Sequence, residues 1–177
     1  MRIWIFGDSF AASNHTTAWA NLLGKDYNII NQASNGSSEY RIWRNYKKFR
    51  SQIFADDYVI FCHTSNTRIY LKDEQTILSR LIASHPMCDL IFSDIFEKKE
   101  NKFINILKTI WDDEYFEDTY QLMLTDLLSV PNSLHFSFFD TEVTNYQSIW
   151  LSNKGNINHM NENGNMLVYQ EISKSLK

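Results

Sequence analysis

Five short segments constrain this chain more than any other feature: residues 2–6, 27–31, 58–62, 89–93 and 134–139 are rich in β-branched or aromatic side chains and mostly apolar at consecutive positions. A strand with one wet face alternates apolar and polar residues, whereas a strand covered on both faces is apolar throughout, as in parallel sheets flanked by helices. Between these segments lie stretches of helical periodicity at about 16–23, 39–54, 72–84, within 97–128 and at 162–176. Strand and helix thus alternate, which predicts a five-stranded parallel α/β sheet with right-handed crossovers. Such sheets place ligands at the carboxyl ends of their strands, so functional residues are expected immediately after strands. Residues 141–155 lack periodicity and are expected to form a long loop beside that site.

The chain has 177 residues, 44% apolar and 21% charged, enough to bury the core of one domain spanning 1–177. Its net charge of −4 gives no general attraction to polyanions. Arg41, Arg44, Lys47, Lys48 and Arg50 form one basic stretch, but Ile42, Trp43, Tyr46, Phe49 and Ile53 recur beside them at helical spacing. The stretch therefore reads as the solvated face of an amphipathic helix, and no nucleic-acid partner is expected. Cys62 and Cys88 lack CxxC or metal-ligand spacing and are expected to be reduced and buried. The first strand runs straight into Gly7-Asp8 without a secretory pattern, and no apolar stretch reaches membrane length. A soluble, cytoplasmic protein without a membrane partner is expected.

Gly7-Asp8-Ser9-Phe10 directly follows the first strand, where glycine lets the backbone turn and a serine can be presented at the strand's carboxyl end. Alone, the motif reads equally as an ordinary strand-to-helix turn with an N-cap. Asn158-His159-Met160-Asn161 precedes a helix carrying Met166, Leu167, Tyr169 and Ile172, and a lone histidine there reads as capping or surface. The pairing matters because a serine hydroxyl becomes a competent nucleophile when an imidazole takes its proton, and the oxyanion that follows needs preorganised donors.

With Asn31-Gln32-Ala33-Ser34-Asn35-Gly36-Ser37-Ser38 after the second strand, these motifs resemble the SGNH/GDSL hydrolase family over essentially the whole chain. The resemblance implies a flavodoxin-like three-layer α/β/α sandwich with catalytic residues in four separated blocks. It implies Ser9 as nucleophile, His159 as general base, the backbone amides of Ser9 and Gly36 in the oxyanion hole, and no metal or organic cofactor. Two departures stand out. The family's third block is Gly-x-Asn-Asp, and here the third strand ends in Cys62-His63-Thr64-Ser65-Asn66-Thr67-Arg68. Asn66 is the nearest candidate for a side-chain oxyanion donor and reads equally as a turn residue. The fourth block is Asp-x-x-His, and here it is Asn156-Ile157-Asn158-His159. Asparagine accepts a hydrogen bond but supplies no charge, and in serine proteases the same exchange costs about 10⁴ in kcat. A Ser–His dyad, a replacement acceptor and lost catalysis all remain open. Asp140, at the end of the fifth strand, is the candidate replacement, and its other reading is a strand-terminating turn residue.

Asp8, Phe10, Arg68 and Trp150 are candidate substrate contacts; Arg68 is equally read as a salt-bridge residue, and Trp150 stands out because it lies in the loop before His159. His15 and His63 are expected to be buried or capping. The leading expectation is an esterase or O-deacetylase acting through an acyl-Ser9 intermediate on a small-molecule or glycan ester, with an O-acetylated carbohydrate preferred. A catalytically impaired binding or structural protein of the same fold is the alternative, motivated by Asn156 and the irregular third block. A flavodoxin-like nucleotide or phosphate binder ranks below both, because the first turn lacks a glycine-rich fingerprint. The oligomeric state is open.

Overall fold

A computed structural model describes residues 1–12, 15–70, 89–91, 105, 109, 112–139, 141–155 and 159–176. Strands β1 (Arg2–Gly7), β2 (Asn28–Asn31), β3 (Tyr58–His63), β6 (Ser133–Ser137) and β7 (Thr144–Asn145) form one sheet in the order β2-β1-β3-β6-β7. Every pairing in it is parallel.

The consecutive apolar residues of β1 and β3 are divided between two cores by the period-2 alternation of a strand. Ile3, Ile5, Ile60 and Cys62 face one side, where they meet Trp19 and Leu23 of α1 (Trp19–Leu23) and Val168 and Ile172 of α5 (Glu162–Ser175). Trp4, Phe6, Val59 and Phe61 face the other, against Ile42 and Tyr46 of α2 (Glu39–Phe49) and Leu127 of α3 (Asp113–Leu128). Both faces of the sheet are covered, so the architecture is the expected three-layer α/β/α sandwich. Helix starts carry the capping that their sequence provides: the Ser38, Asp112 and Asn161 side chains accept from the amides of Arg41, Tyr115 and Gly164.

The strand expected at 89–93 does not join this sheet. Leu90–Ile91 (β5) pairs antiparallel with Arg68–Ile69 (β4) in a separate two-stranded unit, and residues 92 and 93 lie outside the described residues. The sheet is completed instead by β7, inside the segment expected to be a loop, which also holds helix α4 (Gln147–Ser152). Thr144 and Asn145 are both exposed, so this edge strand carries no apolar signal. Helix α1 begins at Trp19 because Ala18 is still extended (φ −59°, ψ 139°). The helix expected at 72–84 lies outside the described residues, as does Cys88. Among the described residues, no helix is long and apolar enough to cross a membrane.

Candidate functional site

Strand β1 delivers Ser9 to the carboxyl edge of the sheet. Gly7, which closes the strand, has no left-handed backbone; it is glycine for space. A Cβ there would lie 2.8 Å from the Cβ atoms of both Ala11 and Cys62. The turn that follows is built by Asp8. Its carbonyl accepts from the amides of Ala11 (3.1 Å) and Ala12 (3.0 Å), and its carboxylate accepts from the Phe10 amide (2.9 Å). Ser9 sits half-buried on this turn. The loop after β2 is fastened alongside: the Ser34 amide donates to the Gly7 carbonyl (3.1 Å) and the Asn31 amide group to the Ala11 carbonyl (2.8 Å). Gly36 has φ 64°, in the left-handed region that costs other residues roughly 1 kcal/mol or more. Here it is the backbone conformation itself that favours glycine.

His159 arrives from the other end of the chain. An antiparallel bridge between Lys154 and Met160 holds its segment. The Gly155 amide donates to the His159 carbonyl (2.6 Å) and the Asn161 amide to the Asn153 carbonyl (2.8 Å). Helix α5 is tied to α1 by the Trp19 amide, which donates to Asn165 Oδ1 (3.1 Å), while Trp19 Nε1 donates to the Phe10 carbonyl (2.7 Å). The His159 ring meets the Phe10 ring edge-on at 5.5 Å. Ser9 and His159 consequently line one small cleft of about 30 Å³, with Phe10, His15, Met160 and Asn165 in its walls. Burial pushes the His159 imidazole below its ordinary value; the Asp8 carboxylate opposes that shift and His15 adds to it. At neutral pH the ring is therefore uncharged and able to accept a proton.

Asp8 and Arg68 meet each other. Asp8 is fully buried, and Arg68 Nη1 donates to its Oδ2 at 2.9 Å and to the Ser37 carbonyl at 2.9 Å; Thr64 Oγ1 lies 3.4 Å from the same carboxylate oxygen. Burial pushes the Asp8 carboxyl upward, and the Arg68 charge and the Phe10 amide pull it back. Asn66 is turned elsewhere: its amide donates to Glu117 of α3, and it borders a separate cavity of about 290 Å³ beside Tyr120, Gln121, Thr141 and Glu142. Trp150 of α4 packs edge-on against Phe10 (5.4 Å) and beside Phe139 (6.2 Å), behind the wall of the cleft. Asp140 and Asn156 lie outside the described residues.

Of the other histidines, His15 is exposed at the cleft, so of the two expected roles, buried or capping, burial does not hold. Its backbone carbonyl accepts from the Ala18 amide (3.0 Å). His63 is fully buried. Its Nδ1 lies 2.7 Å from Glu39 Oε1 and its Nε2 2.9 Å from His135 Nδ1, while Glu39 Oε2 accepts from the Thr64 amide (3.1 Å). Glu39, His135 and Asp89 were not among the candidates drawn from sequence. Asp89 holds the second loop from below: its carboxylate accepts from the Ser38 amide (2.7 Å) and from Arg41, and its amide donates to the Gly36 carbonyl (2.9 Å). The sequence signal for Glu39 and Asp89 was slight, an acid in a helix first turn and an acid before a short strand. Among the described residues, no group of three or more His, Cys, Asp or Glu side chains has metal-holding geometry.

No family model matches the chain, and no curated protein matches it in sequence. Solved structures similar to it include a member of the lipolytic protein G-D-S-L family from Veillonella parvula (15% identical, TM-score 0.49, covering 98% of this chain and 97% of that one). A candidate SGNH hydrolase from Slackia heliotrinireducens is 12% identical (TM-score 0.48, 100% and 99% covered). A candidate acylhydrolase from Bacteroides fragilis is 13% identical (TM-score 0.41, 99% and 88% covered).

Proposed function

We propose that this chain is a serine hydrolase, an esterase or O-deacetylase, that works through an acyl-Ser9 intermediate with His159 as general base. The observation that carries the reading is the meeting of Ser9 and His159 in one cleft at the carboxyl edge of a parallel sheet. Two residues 150 positions apart (159 − 9) come together there, one a latent nucleophile and the other an imidazole kept uncharged by burial.

In the proposed reaction His159 takes the Ser9 hydroxyl proton as Oγ attacks the ester carbonyl carbon. The tetrahedral oxyanion is received by the backbone amides of Ser9 and Gly36. Collapse expels the alcohol, which recovers the proton from His159, and leaves the acyl group on Oγ. Water then attacks the acyl-enzyme with His159 again taking a proton, and collapse releases the carboxylic acid as His159 returns that proton to Ser9 Oγ. Asp8 supplies negative charge close to His159 and so favours the transient imidazolium. An O-acetylated carbohydrate is the preferred substrate class.

A serine-directed fluorophosphonate probe tests the reading. Wild type is expected to label at Ser9, Ser9→Ala not at all, and His159→Ala at least about 100-fold more slowly. Because burial lowers the His159 pKa, the labelling rate should climb with pH to a half-maximum below the ordinary imidazole value of about 6.5 and stay flat above pH 7. Absence of labelling across about pH 6–9 would assign the chain instead to the catalytically impaired binding class, a reading that the engagement of Asn66 with Glu117 favours.

A further inference from the structure

We propose that Arg68 is a positioning residue that holds the two loops expected to form the oxyanion hole in register through a single guanidinium nitrogen; the inference rests on the hydrolase reading of Ser9 and His159. Arg68 Nη1 donates to Asp8 Oδ2 and to the Ser37 carbonyl, each at 2.9 Å. The first acceptor immediately precedes Ser9 and the second immediately follows Gly36. The two backbone amides assigned to the oxyanion thus lie on segments joined by one donor.

Both partners are withdrawn from water, with side-chain exposures of 7% for Arg68 and 0% for Asp8. Such a pair is poor evidence for stability, since desolvation offsets most of the attraction. What it does provide is geometry, because a charged donor in a dry site fixes the distance between the groups that share it. The second loop needs this support. Gly36 is left-handed, its carbonyl is held from one side by the Asp89 amide, and Arg68 holds the next carbonyl from the other. Asn66, in the turn that leads into β4, is occupied by Glu117, so Arg68 at the start of β4 is the side chain by which the segment after β3 reaches the Ser9 turn and the Ser37 carbonyl together. Misplacement of oxyanion donors by fractions of an ångström is costly because they act on charge that develops only in the transition state.

Arg68→Met alone strands a buried carboxylate and is expected to melt early, so the decisive comparison is between Asp8→Asn and the double variant Asp8→Asn/Arg68→Met of the full chain. Both lack the buried charge at position 8, but only the first keeps Arg68 on the Ser37 carbonyl. Well below both melting temperatures, the double variant is expected to show about 10- to 100-fold lower kcat on an aryl acetate and slower fluorophosphonate labelling, with KM within about threefold. Its amide hydrogen exchange should be faster at residues 36–38 and unchanged in β3. Equal rates and equal exchange in the two variants would overturn the proposal, as would a loss of kcat without any change in exchange at 36–38. If wild type neither labels nor turns over, the hydrolase reading has failed, and the exchange comparison still decides whether Arg68 holds the loop.

Discussion

His135 shows how a buried imidazole is wired when its neighbours leave it no choice. Ser133 Oγ donates to the Val130 carbonyl (2.6 Å), so at 2.8 Å from His135 Nε2 it must accept, and Nε2 carries the proton. Nδ1 then accepts from His63 Nε2, and one proton is left between His63 Nδ1 and Glu39 Oε1. Burial, helped by His63, pushes His135 down to about 3, whereas the unfolded chain titrates near 6.5. Between those values the unfolded state binds the extra proton, so this group's stability is intact above about pH 6.5 and is lost as pH falls toward 3. The raised carboxyl of Asp8 works in the opposite direction, which makes a comparison of variants the clean measurement. In urea unfolding at pH 7 and pH 4, His135→Asn should lose roughly 2 kcal/mol less than wild type on acidification, allowing for the partial exposure of the ring. An identical loss would remove His135 as the titrating group. Ser9 and His159, which share one cleft, were legible in the sequence because each sits in a short motif, one just after a strand and one just before a helix. The partners of Arg68, Glu39 and Asp89 were not, because a charged residue announces its type but not its burial.

At the scale of elements, the placement of His159 depends on how closely α5 approaches the segment before it. Gly164 lies in the first turn of α5, and a Cβ there would fall 2.8 Å from Asn153 Cβ and 3.0 Å from Met160 Cβ. Those atoms belong to the bridged pair of segments that carries His159 and have no flexible end to swing aside. Gly164→Ala should therefore destabilise the protein by about 1–3 kcal/mol despite the better helix propensity of alanine. It should also slow the labelling of Ser9 in the folded protein, whereas a gain in denaturation midpoint would contradict this packing. The strands at 2–6, 27–31, 58–62 and 134–139 were readable to within a residue or two, and in β1 and β3 the reason is that burial on both faces writes an apolar run. Strand β7 was hidden for the converse reason: it is two exposed residues at an edge, paired to Phe136 and Ser137, and nothing in Thr144-Asn145 distinguishes a strand from a turn. The short pairing of Leu90–Ile91 with Arg68–Ile69 shows the opposite error, an apolar run that joins a partner outside the main sheet.

For the molecule as a whole, the sheet is a wall between two apolar compartments, and Cys62 on its central strand lies in the one that also contains Phe10, Trp19 and Met160. Cys62 is fully buried, and burial pushes its thiol well up, with the Asp8 and Glu39 charges adding to the shift. In a Cys88→Ala background, Cys62 should be inert to a thiol reagent at pH 8 in native buffer and react fully in denaturing guanidinium, so its rate reports opening of the core. Rapid reaction in native buffer would show that the layer of α1 and α5 opens locally. That same layer joins segments far apart in sequence, since α1 packs on α5. The cleft shared by Ser9 and His159 exists only while α5 is docked on α1, so the two side chains are neighbours in the folded state and strangers in the unfolded one.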